Sequence, residues 1–425
     1  MKKAVVVALM LVAAFWMFGC TVAGRPAIGA DVMAGPVSSS PRALAGAAAV
    51  NAFGFDLMRA RMEASEPTTN VVLSPLSVHA ALSMTMLGAR GQTAAEMQRT
   101  LHLTGNNDAS ASTYSMLLDA LANRSKEQTF TIANSIWVDS HLAVKRDFLN
   151  ANRISFGSAV KTMDFSNSDM AGIVNEWVAQ NTHQMIQHIV SQIDPQTVML
   201  LANAVYFKAQ WSEPFLSELT QPQAFHVSST QTTDVPMMHD TRLLPLVQTG
   251  TYSATKLDYR GGDSATYLIL PQQGHSVASV LATIGAADFA SLRERLDSET
   301  PTRTALALPK FDTTVGGGIA DALEAMGMPT AFNSESADFR AMATPPAGQN
   351  IWIGDVIHKA RIKVDEQGTE AAAATVVEMA MGAAAPVRQA PPVPFICDRP
   401  FAMAIVDTRT GALLFLAAIN NPKLP

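Results

Sequence analysis

The stretch "KVDEQGTEAAAATVVEMAMGAAAPVRQAPP", Lys363 to Pro392, sets local propensity against pattern. Alanine is the best helix former, so "TEAAAATVVEM" has the composition of a helix. Yet it begins behind Gly368 and runs out into small residues and prolines. Read at period two, one parity carries Thr369, Ala371, Ala373, Thr375, Val377 and Met379, all small or apolar. The other carries Glu370, Ala372, Ala374, Val376 and Glu378, with a charge near each end. That is the pattern of a strand with one face on a core and the other partly covered. Alternation alone leaves an exposed helix or a linker equally open, so the flanking sequence has to decide.

Working outward, "ATYLILP", "TALALPKF" and "IWIGDVIHKARIKVD" read as strands, with "GGGIADA" a turn entering a short helix between the last two. "TVMLLANAVYF" is apolar on both parities, which marks a strand covered on both faces. "FTIANSIWVD" alternates like a strand, and "FAMAIVDTRTGALLFLAAI" reads as two strands about a Thr-Gly turn. The first third is helical. Ala43 to Ala64 carry helical spacing through Val50, Phe53, Leu57 and Met58, and "NVVLSPLSVHAALSMTMLG" reads as a short strand followed by a nearly all-apolar helix. A further helix is expected to begin at Thr93, whose spacing to Glu96 makes a capping box. "SDMAGIVNEWVAQNTHQMIQHIV" predicts one helix carrying Ile173, Trp177, Met185 and Ile189 on a face, with His183 and His188 also on it. There is no internal repeat, so the expected class is α+β, helices early and strands late, in one domain.

The chain has 425 residues, a net charge of -6 and 48% hydrophobic residues, enough for a large core. Without a lysine or arginine block it is not expected to bind nucleic acid. "MKKAVVVALMLVAAFWMFGC" has the form of a secretory signal over residues 1–20, too short for a comfortable membrane span. Its end, "MFGC", resembles the bacterial lipoprotein box, in which the cysteine, here Cys20, is lipidated and becomes the new N-terminus. Met17 and Phe18 depart from that box, and ordinary cleavage nearby is the alternative. Thr21 in place of an aspartate is compatible with the outer membrane. Residues 21–43, rich in Ala, Gly, Pro and Ser, read as a flexible linker to a domain over residues 44–425. Cys397 is then the one cysteine of the mature domain, which must be held by packing without a disulfide.

The catalytic inventory is empty. There is no G-x-S-x-G elbow and no H-E-x-x-H helix. "SATK", Ser253 to Lys256, matches an S-x-x-K pattern but sits in a strand-like segment and lacks its companion motifs. His183 and His188 are spaced too poorly for a metal pair and have no carboxylate beside them. No catalytic residue, metal site or cofactor is expected.

From about Ala47 to Pro422 the chain resembles the serpin family. The matches fall in the family's order: "NVVLSPLSVHAALSMTMLGARGQTAAEM", "LLANAVYFKAQWSEPF", "LPKF", "MGMPTAF", "ADF", "VIHKARIKVDEQGTEAAAAT" and "FICDRPFAMAIVDTRTGALLFLAAINNP". Ala402 departs from the larger apolar residue usual in the last of these. The resemblance implies the serpin fold, with early helices packed on a large central sheet, further sheets, and an exposed reactive-centre loop at about residues 366–394. It implies an inhibitor, not an enzyme. In inhibitory members a serine or cysteine protease cuts the loop and forms an acyl-enzyme. The cut loop then enters the central sheet as a new strand, a switch for which serpins are the standard example.

Residue by residue, the resemblance assigns a hinge to Glu366, Gly368, Thr369, Glu370, Ala371, Ala372, Ala373, Ala374 and Thr375. It assigns a shutter beneath the sheet centre to Ser74, Pro75, Ser77, Asn203 and His358. Glu366 and Lys310 match the ion pair of the breach at the head of the sheet, with Trp211 beside it. Family spacing from Gly368 puts the reactive bond between Gly382 and Ala383. One position earlier, after Met381, is chemically better because glycine offers no side chain to a specificity pocket. Either bond suits elastase-, chymotrypsin- or subtilisin-like proteases. Cleavage at Arg388 is the alternative and would suit trypsin-like enzymes, but it would put Pro386 inside the inserted strand, where a missing N–H harms the ladder. The implied protein is a monomeric inhibitor of the extracellular space or cell envelope, touching a membrane only through lipid on Cys20. A non-inhibitory serpin acting as a binding or chaperone protein is the alternative.

Overall fold

The computed structural model describes residues 40–105, 107–122, 125–157, 159–193, 197, 199–345, 348–369 and 390–423. Cys20, Glu370 to Thr375, Met381, Gly382, Ala383 and Arg388 therefore lie outside the described residues.

The first helix, Pro41–Glu63, starts inside the expected linker. Ser40 accepts the Ala43 N–H at 3.2 Å and proline occupies the first turn, a strong N-terminal signal. The strand Val71–Leu73 leads into the helix Pro75–Met86, whose every residue is buried, so it has no amphipathic stripe to read. The next helix, Gly91–Thr100, runs through Thr93 instead of starting there. The expected capping box does not form. Thr93 Oγ1 accepts the Asp338 N–H at 3.0 Å, and Glu96 accepts both the N–H and the hydroxyl of Thr330, at 2.9 and 2.8 Å. Tertiary partners have taken both side chains.

Three large sheets follow. The central one is ordered Phe311–Gly318, Asp355–Asp365, Gly368–Thr369, Met199–Gln210, Gln128–Asp139, Ala159–Met163. A second, six-stranded sheet contains the closing pair Phe401–Asp407 and Leu413–Ile419, antiparallel as expected. The third has four strands, among them Val393–Ile396 beside Thr302–Pro309. A core containing Val205, Phe207, Ala209, Ala360, Ile362 and Val364 joins the inner face of the central sheet to Leu268, Met403 and Phe415 of the second. On the outer face, Trp137, Leu200, Ala202 and Ile357 are covered by Met170 and Val174 of the helix Met170–Asn181.

Two local expectations are corrected here. The helix at residue 170 stops at Asn181, because Thr182 Oγ1 turns back to the Val178 carbonyl and His183 and Gln184 take left-handed backbone angles. His183 and His188 are thus in the following loop. Gly316 to Gly318 form the end of a strand, not a turn, and pair with residues Ile357 to Lys359. A Cβ on Gly316 would meet the Lys359 stem at 2.6 Å, and one on Gly318 the Asp355 carboxylate at 2.7 Å. Glycine is what lets those side chains lie across the strand.

Candidate functional site

The two middle strands of the central sheet, Met199–Gln210 and Asp355–Asp365, run parallel and pair only at the foot, from Asp355 with Leu200 to Lys359 with Ala204. Above that, Val205 to Lys208 and Ala360 to Lys363 have no strand between them among the described residues. At the head the gap is filled by two residues. Gly368 pairs with Gln210 and Asp365, and Thr369 with Ala209 and Val364. The result is a slot between two strands, closed at both ends and wide enough in register for a further strand to continue from Thr369. Its inward side chains are apolar. Its outward ones include Tyr206, Lys208, Lys359, Arg361 and Lys363.

The chain between residues 182 and 193 lies against this outer face. Lys359 Nζ donates to the His188 carbonyl at 2.6 Å, Arg361 donates to the Met185 carbonyl at 3.2 Å, and the His183 ring sits 4.9 Å from that of Tyr206.

At the head, the chain turns at Glu366 and Gln367. Trp211 N–H bonds the Gln367 carbonyl, Phe215 N–H bonds the Glu366 carbonyl, and the Trp211 indole donates to the Asp365 carbonyl at 3.0 Å. Lys310 Nζ lies 2.8 Å from a Glu366 oxygen, and Thr220 donates to the same carboxylate at 2.8 Å. Burial works against the Glu366 carboxylate. Hydrogen bonds from Lys310, its own backbone and Thr220 nonetheless carry its pKa below the usual range. The expected breach residues Trp211, Lys310 and Glu366 therefore meet as one anchor for the hinge.

Thr369 is inward and buried, which is the parity its sequence pattern predicts. Gly368 is there for a steric reason. A Cβ at that position would lie 2.1 Å from the Ala209 carbonyl oxygen and 2.8 Å from the Gln210 Cα, both backbone atoms that cannot move aside. Gly368→Ala is accordingly expected to expel Gly368 and Thr369 from the sheet. The variant should lose roughly 1–3 kcal/mol of stability, read in urea unfolding, together with the amide-exchange protection of those two residues.

Beneath the sheet centre, Ser74 caps the helix that Pro75 opens, and its N–H donates to His358 Nε2 at 3.1 Å. That bond requires the lone pair on Nε2, so the ring is neutral. Burial pushes the His358 pKa down to about 3, with the Arg61 charge adding to it. The hydroxyls of Ser74 and Ser77 are buried without a hydrogen-bond partner. The backbone of Asn203 pairs with His358 on one side and Asn134 on the other, while its side chain lies outside the described atoms. Ser74, His358 and Asn203 are thus brought together where the two strands meet, with Pro75 and Ser77 in the helix turn that follows Ser74.

No catalytic pair forms from "SATK". Ser253 and Lys256 stand on opposite faces of the strand Tyr252–Asp258. Gln272 donates to the serine, and Asp297 holds the lysine at 2.8 Å. Cys397 is buried, which pushes its thiol pKa up and leaves it a protonated, unreactive group. Sequence reasoning missed Tyr259, whose hydroxyl meets Thr369, and Thr220 at the breach. Neither stands in a motif. Both reach the hinge across more than a hundred residues of chain.

The family model described as Serpin (serine protease inhibitor) matches residues 48–422. An uncharacterized serpin-like protein of Thermococcus kodakarensis is 36% identical over 380 residues, covering 88% of this chain and 85% of its own. Serine proteinase inhibitor 2.4 of Apodemus sylvaticus is 32% identical over 379 residues, with 87% of each chain covered. Among solved structures, human thyroxine-binding globulin complexed with thyroxine superposes with a TM-score of 0.80 at 27% identity, covering 89% of this chain and 99% of that one.

Proposed function

The chain belongs to the serpin family, a family of serine protease inhibitors that also has non-inhibitory members and is not one of catalytic enzymes, and on that premise we propose that it traps serine proteases as a suicide substrate. The protease's nucleophile attacks the carbonyl of Met381 or Gly382 and forms an ester, releasing the chain that begins at Gly382 or Ala383. The piece ending in that ester then enters the slot from the hinge end. The observation that carries the reading is the position of Gly368 and Thr369. They already stand between the two middle strands, and at a level that matches the five-pair ladder at the foot.

Continuing that register brings Ala371 inward opposite Phe207 and Ile362, and Met379 opposite Met199, the first residue of its strand, at the foot. An inserted strand from Gly368 to Met381 is about 45 Å long at ~3.3 Å per residue. A bond just beyond Met379 leaves the bound protease at the opposite pole with almost no slack, whereas cleavage at Arg388 leaves a longer tether. This favours Met381 and Gly382, and with them elastase-, chymotrypsin- or subtilisin-like targets. Insertion would also supply backbone partners along the slot and rearrange the helix start where the Ser74 and Ser77 hydroxyls are unpartnered. The signal at residues 1–20 and the Cys20 box support action at the cell envelope, with the domain tethered by lipid.

The same register makes a charge prediction. Glu370 falls on the outer face between Lys208 and Lys363, neither of which pairs with a described carboxylate, while Glu378 falls opposite Asp355. Opposite charges directly across strands attract and like charges repel, by roughly 0.2–1 kcal/mol per pair. Glu370→Lys should therefore slow insertion and consume several inhibitor molecules per protease trapped, increasingly so at low salt. Glu378→Gln should speed completion. Stopped-flow fluorescence of a loop-labelled protein reads both.

Intact mass spectrometry of the domain mixed with elastase, and separately with trypsin, tests the function. A covalent adduct with a released C-terminal peptide of defined mass supports the trap and locates the bond. Cleavage with both proteins recovered free would sink it and favour the second reading, a non-inhibitory binding protein, to which the likeness with the thyroxine-complexed globulin points.

A further inference from the structure

Tyr259 follows the strand Tyr252–Asp258 and is almost completely buried. Its ring lies flat on Trp211, with centroids 4.6 Å apart and planes 8° from parallel, and its edge meets Phe207 at 5.3 Å. The ring is therefore held from two sides, and its hydroxyl is aimed at the slot. Thr266 Oγ1, fully buried on the strand Ser264–Pro271, donates to that hydroxyl at 2.7 Å. The hydroxyl in turn lies 2.5 Å from Thr369 Oγ1. The phenol oxygen accepts from Thr266, and in the pair with Thr369 either hydroxyl can donate to the other. The three hydroxyls form one chain from the second sheet to the hinge.

We infer that Tyr259 is a positioning residue for the trapping reaction: it holds the uncut hinge inserted as far as Thr369, so that strand entry after cleavage starts from a seated residue. The inference rests on the inhibitory reading above. Hinge depth is fixed at this position because the next inward residue, Ala371, offers no hydroxyl with which to repeat the bond. Drawing Thr369 outward would take this partner from the buried Tyr259 hydroxyl, and an unsatisfied buried polar group is costly. The hinge is thereby biased against withdrawal by a contact that exists only at this depth.

The test uses Tyr259→Phe, Thr369→Val, their combination, and Thr369→Ser, which keeps the hydroxyl. Two readouts are taken on the whole domain: amide exchange at Gly368 and Thr369 in the uncut protein, and molecules of inhibitor consumed per elastase trapped. Tyr259→Phe and Thr369→Val are each expected to speed hinge exchange by roughly tenfold, the scale of one lost buried hydrogen bond. The double variant should be no faster than either single one, and Thr369→Ser should restore slow exchange. Consumption per trapped protease should rise in step with hinge exchange.

Slow hinge exchange in Tyr259→Phe despite a lowered urea midpoint would overturn the inference, since Tyr259 would then be a packing residue only. Additive effects in the double variant would overturn it as well. If the unaltered protein traps no protease, the inhibitory reading fails and the positioning role fails with it. Exchange at the hinge would still show whether the hydroxyl chain holds Thr369.

Discussion

Thr369→Arg is expected to convert the protein from a trap into a substrate, with the loop still cut and the covalent adduct reduced to a trace. Thr369 points into the core beside Tyr259 and is 2% exposed. An arginine on that parity has two options. It can bury an uncompensated guanidinium beneath the sheet, which costs several kcal/mol, or it can keep the hinge out of the slot. Either way the first step of insertion is blocked while the distant reactive bond is untouched. Hydrolysis of the acyl-enzyme then wins the race. The comparison is of adduct to cleaved product on a denaturing gel, with Thr369→Ser as the control. Abundant adduct from Thr369→Arg would mean that the slot between Met199–Gln210 and Asp355–Asp365 is not where the loop goes.

Acid should weaken the fold well above the range in which carboxylates titrate. His79 is fully buried, stacked on Tyr114, with Nε2 on the Leu101 carbonyl at 2.9 Å. Burial pushes its pKa down to about 4, against the hydrogen bond to Leu101 and with the His102 charge assisting. His358 is driven to about 3, chiefly by burial. For a histidine depressed in the folded state, both states are neutral above the ordinary value of 6.5, and no stability is lost there. Between 6.5 and the folded value the unfolded chain takes up a proton that the native ring refuses, so stability falls as pH falls. Two such groups remove up to about 4 kcal/mol between pH 7 and pH 5.

The Glu366 carboxylate, held low in the native state, contributes stability above its ordinary value of about 4.5 and loses it only below, so the two effects separate. Urea unfolding at pH 7.5, 6 and 5 reads the slope. His358→Gln should reduce it by about half, since one of the two rings is gone. An unchanged slope in that variant would show that protonation of His358 is not what the fold resists. Because His358 bonds the N–H of Ser74 where the middle strands meet, the same proton uptake is expected to hasten parting of those strands.

The serpin order of segments and the strand character of Gly368 and Thr369 were legible in the sequence. Each is carried by residues close together in the chain or by a motif of unusual composition. The glycine before Thr369, the inward parity of Thr369 and the apolar run around Pro75 are all written in adjacent residues. Three expectations went astray. The Thr93 and Glu96 pair matched a local capping rule, but Asp338 and Thr330 supply partners that local rules do not contain. The helix through Asn181 was expected to continue because helical spacing persists into residues 185 and 189, whereas Thr182 diverts the chain. The three glycines from Gly316 have the composition of a turn, yet they make room for side chains of the adjacent strand.

By itself the sequence determined which family the chain joins and that Gly368 and Thr369 enter a strand with the threonine inward, since those properties are written in adjacent residues. Only the tertiary structure decided how far the hinge is seated, which tyrosine holds it and which charges an entering strand would meet. Those depend on register between strands far apart in the chain, and register is set by packing across the whole sheet.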